Sequence, residues 1–84
     1  MIDRGVMVAL LSLLDQLDGQ SLEERVLMNE ISYKAVQPLS SDLLQEHIQE
    51  AKQKGWIEKE AGLIRGEIRW RRTLGGRAAL MDMR

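Results

Sequence analysis

The chain contains no cysteine, a single histidine and a single proline. Without cysteine, neither a disulfide nor a cysteine zinc site can form, and a reducing cytoplasm suits the chain better than secretion. Because His47 stands alone, one chain cannot form a metal site from several histidines. The longest mainly apolar stretch, residues 6–14, is interrupted only by Ser12, is far too short to span a bilayer and is not followed by a small-residue cleavage site. We therefore interpret it as a buried helix and expect no membrane partner.

The length and the apolar content predict one small domain. The chain has 84 residues, of which 44% are apolar. This size lies near the lower limit at which a single core folds without disulfides or metal. We therefore treat residues 1–84 as a single domain, with no internal repeat or linker.

The net charge of -1 conceals an asymmetry along the chain. Residues 1–50 hold three basic and nine acidic side chains, whereas residues 51–84 hold nine basic and four acidic ones, so the two halves carry -6 and +5. This split predicts that a polyanion would meet the C-terminal half, although ordinary solvated faces also produce such splits.

A first helix is predicted from about Asp3 to Leu17, with apolar residues almost all round its circumference. A helix that packs against the core on one face does not require so many apolar residues. Two interpretations remain open: a central helix covered on several sides by its own domain, or a helix with a second face buried against another subunit in a homodimer.

A second helix is predicted to follow the break at residues 18–20. Ser21 and Glu24 have the spacing of a capping box, and Pro38 ends the segment after about Tyr33 or Ala35. The predicted apolar stripe of this helix consists of Leu22, Val26, Leu27 and Ile31.

A third helix is predicted to begin at Ser40, Ser41 or Asp42, each of which can cap it. Its inward stripe is Leu44, Ile48 and Ala51, with His47 at the margin as a partly buried structural residue. Gly55 is placed to end the helix in the left-handed conformation.

Two strands are predicted next, over residues 56–60 and 68–72, joined by a loop with its tip at residues 64–67. Gly62 offers a second turn, so two registers remain open. If Ile68 and Trp70 face the core, alternation sends Glu67, Arg69 and Arg71 to the opposite face, which we expect to be solvated and basic. A final helix from Leu74 is expected to begin close to the hairpin because of two adjacent glycines. The residues that this helix is expected to bury are Ala78, Leu80 and Met81, and the two glycines are Gly75 and Gly76.

Catalysis is poorly supported, and we predict no enzyme, catalytic residue, cofactor or small-molecule ligand. The adjacent carboxylates at positions 23 and 24 lie at a helix cap, and those at 58 and 60 lie on a surface strand, so neither pair converges in a cleft. The Gly75-Gly76 pair has neither Walker nor dinucleotide-binding spacing, and helix packing explains it better.

A family resemblance rests on residues 40 to 80. A capped helix ending in Lys54-Gly55-Trp56-Ile57 is followed by a basic hairpin and by Thr73-Leu74-Gly75-Gly76-Arg77-Ala78-Ala79-Leu80. This order resembles the bacterial winged helix-turn-helix proteins, and residues 39–57 are similar to small winged-helix proteins of Mu-like phages and prophages. The resemblance implies a mainly α (α+β) fold with three core helices, a two-stranded β-hairpin wing and a short C-terminal helix.

The same resemblance implies double-stranded DNA as the partner, with the third helix in the major groove and the wing on the flanking backbone. The expected contacts are Ser40, Ser41, Gln45, Gln49, Lys52, Arg65, Arg69, Arg71 and Arg72. The outward face of the third helix also carries three carboxylates, Asp42, Glu46 and Glu50, which oppose a polyanion. Two functions remain open: a cytoplasmic DNA-binding regulator or prophage accessory protein, and a winged-helix module that binds protein through the first helix or the acidic third helix.

Overall fold

The chain forms an α+β fold of four helices and one three-stranded antiparallel sheet. A computed structural model describes all 84 residues. The elements in chain order are α1 (Arg4–Asp15), β1 (Leu22–Glu23), α2 (Glu24–Lys34), α3 (Ser41–Gln53), β2 (Ile57–Ala61), β3 (Ile68–Arg72) and α4 (Leu74–Met83). The strand order is β1-β3-β2. The α+β prediction is confirmed, and the arrangement is compatible with a winged-helix-like fold.

The sheet has one strand more than the two that were predicted. Residues Leu22 and Glu23 pair with Trp70 and Arg69 of β3 instead of forming the first turn of a helix. Their extended backbone also removes the predicted capping box, because the N-cap of α2 is Glu23 and no side chain caps it. The Ser21 hydroxyl instead accepts a hydrogen bond from Arg69, since a charged guanidinium is a stronger donor than a backbone N–H.

Helix α1 lies at the centre of the domain. Five of the thirteen residues in the apolar core belong to α1, and this helix packs against α2, α3, α4 and β3. Its own chain therefore covers it, and its apolar composition needs no second subunit. The homodimer through α1 stays a prediction, but the apolar composition of the helix no longer supports it. The five core residues of α1 are Met7, Leu10, Leu11, Leu13 and Leu14.

Short polar contacts fix the ends of α1 and α3. The Asp3 carboxylate accepts a hydrogen bond from the Val6 N–H at 3.1 Å, and the Ser40 hydroxyl accepts one from Leu43 at 3.1 Å. Gly55 ends α3 with a φ of 75°, as predicted. The predicted inward stripe of α3 is buried: Leu44, Ile48 and Ala51. In α2, by contrast, Val26 is exposed and does not belong to the predicted stripe.

The first turn of α4 packs closely on the hairpin, as the two glycines predicted. Thr73 caps the helix through a bond from the Gly76 N–H, and Gly76 is buried against the Trp56 carbonyl. This contact fixes the rotation of α4 so that Leu80 faces the core, whereas Ala78 and Met81 face solvent. The prediction that Ala78 and Met81 are buried is wrong. None of the four helices has the length and apolarity that crossing a membrane requires.

Candidate nucleic-acid interface

Five of the predicted contact residues belong to α3 or to its N-cap. Ser40 is the N-cap of the helix, and Ser41 follows it in an exposed position. Gln49 and Lys52 are also exposed. Gln45 is half-buried, and its amide lies 3.6 Å from the Met28 sulfur, so its side chain is held against α2.

Carboxylates lie on the outward face of α3. Asp42 and Glu46 are exposed, and Glu50 pairs with Lys54 at 3.9 Å. The N-terminal ammonium group donates a hydrogen bond to Glu46 at 2.6 Å, and this bond lowers the pKa of the Glu46 carboxyl. Two of the three carboxylates are therefore paired with cations of the same chain, and Asp42 is the one that is not.

Arg72 lies on the inner side of the sheet, although it was expected to offer donors to phosphate. It is opposite Ile57 in the register, and its side chain is only 7% exposed. Its Nε lies 3.1 Å from the Asp15 carboxylate, which is within ion-pair distance, but the geometry is not that of a hydrogen bond. Arg72 therefore stabilises the contact between β3 and α1 and is not available to a duplex.

Arg69 is held by its own chain. Its Nε donates to the Ser21 hydroxyl at 2.8 Å, its Nη2 donates to the Ser21 carbonyl at 3.0 Å, and its Nη1 pairs with Glu67 at 3.0 Å. Arg71 is half-exposed and pairs with Glu58 on β2. Both guanidinium groups would have to leave carboxylate partners before they could contact phosphates.

The solvated face of the sheet carries more carboxylates than arginines. The register places Glu58 opposite Arg71, and it places Glu60 and Glu23 on either side of Arg69. Residues that are directly opposite in an antiparallel pair point to the same face. The expectation of a basic face is therefore corrected, because the neighbouring strands β1 and β2 supply acidic residues that β3 alone does not reveal.

A groove of about 600 Å³ lies between the wing tip, the start of α2 and the start of α3. Arg65 and Ser41 line it together, as do Arg25 and Glu23. Arg65 is the one predicted wing arginine with neither an ion pair nor a hydrogen bond within the chain. The four wing arginines thus do not form a continuous positive surface with the N-terminus of α3.

The single histidine has a structural role. His47 is fully buried, its Nε2 accepts a hydrogen bond from the Asp3 N–H at 2.8 Å, and its Nδ1 lies 2.8 Å from the Leu43 carbonyl oxygen. These contacts use both ring nitrogens, with the proton on Nδ1. No group of three or more His, Cys, Asp or Glu residues is placed to hold a metal ion.

Two exposed features were not identified from the sequence as functional. Arg25 lies on α2 beside the groove, and only the fold brings it near the wing tip. At the tip itself, Leu63 and Ile64 project into solvent, and Leu63 is fully exposed. Both residues lie between the two predicted strands, and this position could have indicated from the sequence that they are exposed and not part of the core.

The fold and the charge pattern are the main guides to function. No protein-family model matches the chain, and no curated protein matches it either.

Proposed function

We propose that this chain is a small protein-interaction module on a winged-helix-like scaffold, and that the acidic face of α3 binds a basic segment of a partner protein. The observation that carries the proposal is the pairing of the wing arginines with carboxylates of their own domain. Arg69 pairs with Glu67, and Arg71 pairs with Glu58.

This pairing argues against strong binding to a duplex. DNA affinity depends largely on counterions that are released when lysine and arginine neutralise phosphates. Among the nine predicted contacts, Lys52 and Arg65 are the cationic ones that no carboxylate pairs. Two phosphates neutralised give a slope of only about -1.8 in log affinity against log salt, and the unpaired Asp42 carboxylate opposes even this attraction.

The same electrostatics favour a basic protein segment. Asp42, Glu46, Gln49 and Gln53 are exposed at spacings of three or four residues, so they form one stripe along α3. Lysine and arginine side chains of a partner can pair with Asp42 directly and with Glu46 in place of the exposed N-terminal ammonium, while the glutamines bond to the partner's backbone. Exposed charges of this kind contribute more to the association rate and to selectivity than to affinity, so we expect weak, salt-dependent binding.

The test uses a lysine-rich probe peptide, with fluorescence anisotropy measured at low and at high salt. Replacing both Asp42 and Glu46 by Lys should abolish binding, because the stripe reverses its charge. A matched control replaces Glu30 and Glu60 by Lys, which makes the same change in net charge at exposed positions of α2 and β2 outside the stripe, and it should bind as the wild type does. Equal loss of binding in the control would show that only net charge matters and would refute the assigned surface.

A DNA-binding regulator is the second candidate, and the groove beside α3 is the observation that favours it. Arg65 and Arg25 line this groove with Ser41 at the start of α3 and can donate to phosphate oxygens, although three carboxylates line it too: Glu23, Glu24 and Glu67. If this function holds, the wild type retards duplex DNA in low salt, and replacing both arginines by Glu removes the retardation. The protein-interaction proposal would be overturned if the wild type retards DNA and its log affinity falls with log salt as steeply as neutralisation of several phosphates requires.

A further inference from the structure

Helix α4 has a second apolar face on the side away from its own core. Gly76 and Leu80 are buried against the domain. On the opposite side, Leu74 is 83% exposed, Met81 is 68% exposed, and Ala78 between them is exposed as well. These three residues follow one another at intervals of four and three residues, which is the spacing of a coiled-coil seam.

Two unpaired charges flank this seam. Arg77 and Asp82 are both exposed, and neither takes part in an ion pair within the chain. If Leu74 and Met81 occupy heptad positions d and Ala78 occupies position a, then Arg77 is at g and Asp82 is at e. Positions e and g form the interhelical salt bridges of coiled coils.

The heptad positions select the direction of pairing. In a parallel pair, position g of one helix lies beside position e of the next heptad in the other, so Arg77 meets the partner's Asp82, and two-fold symmetry provides this contact twice. In an antiparallel pair, g residues lie beside each other, so Arg77 would meet another arginine. Opposite charges therefore favour the parallel arrangement, and like charges disfavour the antiparallel one.

We propose that α4 associates in parallel with α4 of a second copy of this chain, with Leu74, Ala78 and Met81 in the seam and two Arg77–Asp82 ion pairs at its edges. Small Ala78 in the centre lets the helices approach closely. This inference uses residues that the proposed function does not involve, and it holds or fails independently of the partner of α3.

The association is expected to be weak because the seam is short. A helix of ten residues is about 15 Å long, and its exposed face is much smaller than the roughly 800 Å² per partner of a stable interface. We therefore expect a dissociation constant between about 10 µM and about 1 mM. In that range the protein is in equilibrium between monomer and dimer, and the dimer fraction rises with concentration.

Sedimentation equilibrium over this concentration range tests the proposal. The apparent molecular mass of the wild type should rise with concentration from that of a monomer toward that of a dimer. The Met81→Glu and Leu74→Glu variants should each keep the mass of a monomer. Leu63→Glu is the matched control, because Leu63 is more exposed than either seam residue but lies at the hairpin tip. The control should associate as the wild type does. Circular dichroism verifies that each variant is folded, which is expected since all three positions are exposed.

A charge exchange tests the direction of pairing. Arg77→Glu alone should weaken association because it places Glu beside the partner's Asp82, and so should Asp82→Lys alone. The double variant should recover association, since the two pairs re-form with reversed signs. A wild type that stays monomeric up to about 1 mM would overturn the proposal. So would a double variant that associates no better than the single ones, or a Leu63→Glu variant that alone is monomeric.

Discussion

Replacing Gly76 by Ala should destabilise the domain, although helix propensity alone predicts the opposite. In a helix interior, Ala is favoured over Gly by about 1 kcal/mol. A Cβ at Gly76, however, would lie 2.0 Å from the carbonyl oxygen of Trp56 and 2.9 Å from its carbonyl carbon. These are backbone atoms, and the same carbonyl accepts a hydrogen bond from the Thr73 N–H at 3.0 Å. The clash therefore requires α4 to move away from the hairpin.

The expected loss is about 1 to 3 kcal/mol after the gain in propensity, as for other overpacked sites, and it corresponds to a melting temperature lower by roughly 4 to 8 °C per kcal/mol. The neighbouring Gly75 provides a control, since a Cβ there would meet the Gly55 carbonyl oxygen only at 3.4 Å. Gly75→Ala should therefore leave the stability unchanged or raise it slightly. Urea unfolding followed by tryptophan fluorescence measures both. A Gly76→Ala variant as stable as the wild type would refute the close packing of α4 on Trp56.

Two partly buried polar contacts give further predictions. The Trp70 indole N–H donates to the Glu24 carboxylate at 3.0 Å, so Glu24→Ala should cost about 1 to 3 kcal/mol in urea unfolding, and Glu24→Gln, which keeps an acceptor, should cost less. Asp15→Ala should cost about 1 to 3 kcal/mol because it leaves the buried Arg72 unpaired, a loss moderated by the partial exposure of Asp15. Adding Arg72→Met should recover much of that loss, and a double variant no more stable than the single one would contradict this account.

The local features of the fold were predictable because local chemistry determines them. Ser40 and Gly55 bound α3 at the positions that capping predicts, and β3 has its predicted limits of residues 68 and 72. Of the two turns that the sequence allowed, the one at residues 64–67 closes, with the Glu67 N–H bonded to the Ile64 carbonyl at 3.0 Å. Each of these signals lies within a few residues of the structure that it specifies.

The features that were missed depend on residues distant in sequence. Strand β1 is two residues long and exists because it pairs with β3. The rotation of α4 depends on the contact between Gly76 and Trp56, which apolar spacing within the helix does not reveal. Arg72 is different, because alternation already placed it with Ile68 and Trp70 on the inner side. Arg72 was nevertheless predicted to contact DNA because it is basic, although its position in the strand already placed it on the inner side of the sheet.

The charge asymmetry of the sequence is reduced in the folded chain by two ion pairs that join the halves. Arg72 of the basic half pairs with Asp15 of the acidic half, and Lys54 pairs with Glu50 in the same manner. The remaining wing arginines with ion pairs find their carboxylates within the hairpin itself. A charge count along the chain therefore overstates the attraction for a polyanion, because neutralised cations release few counterions. Recognition must therefore depend on the charged groups that folding leaves unpaired. On α3 these include the carboxylate of Asp42. On α4 they are Arg77 and Asp82, which carry opposite charges.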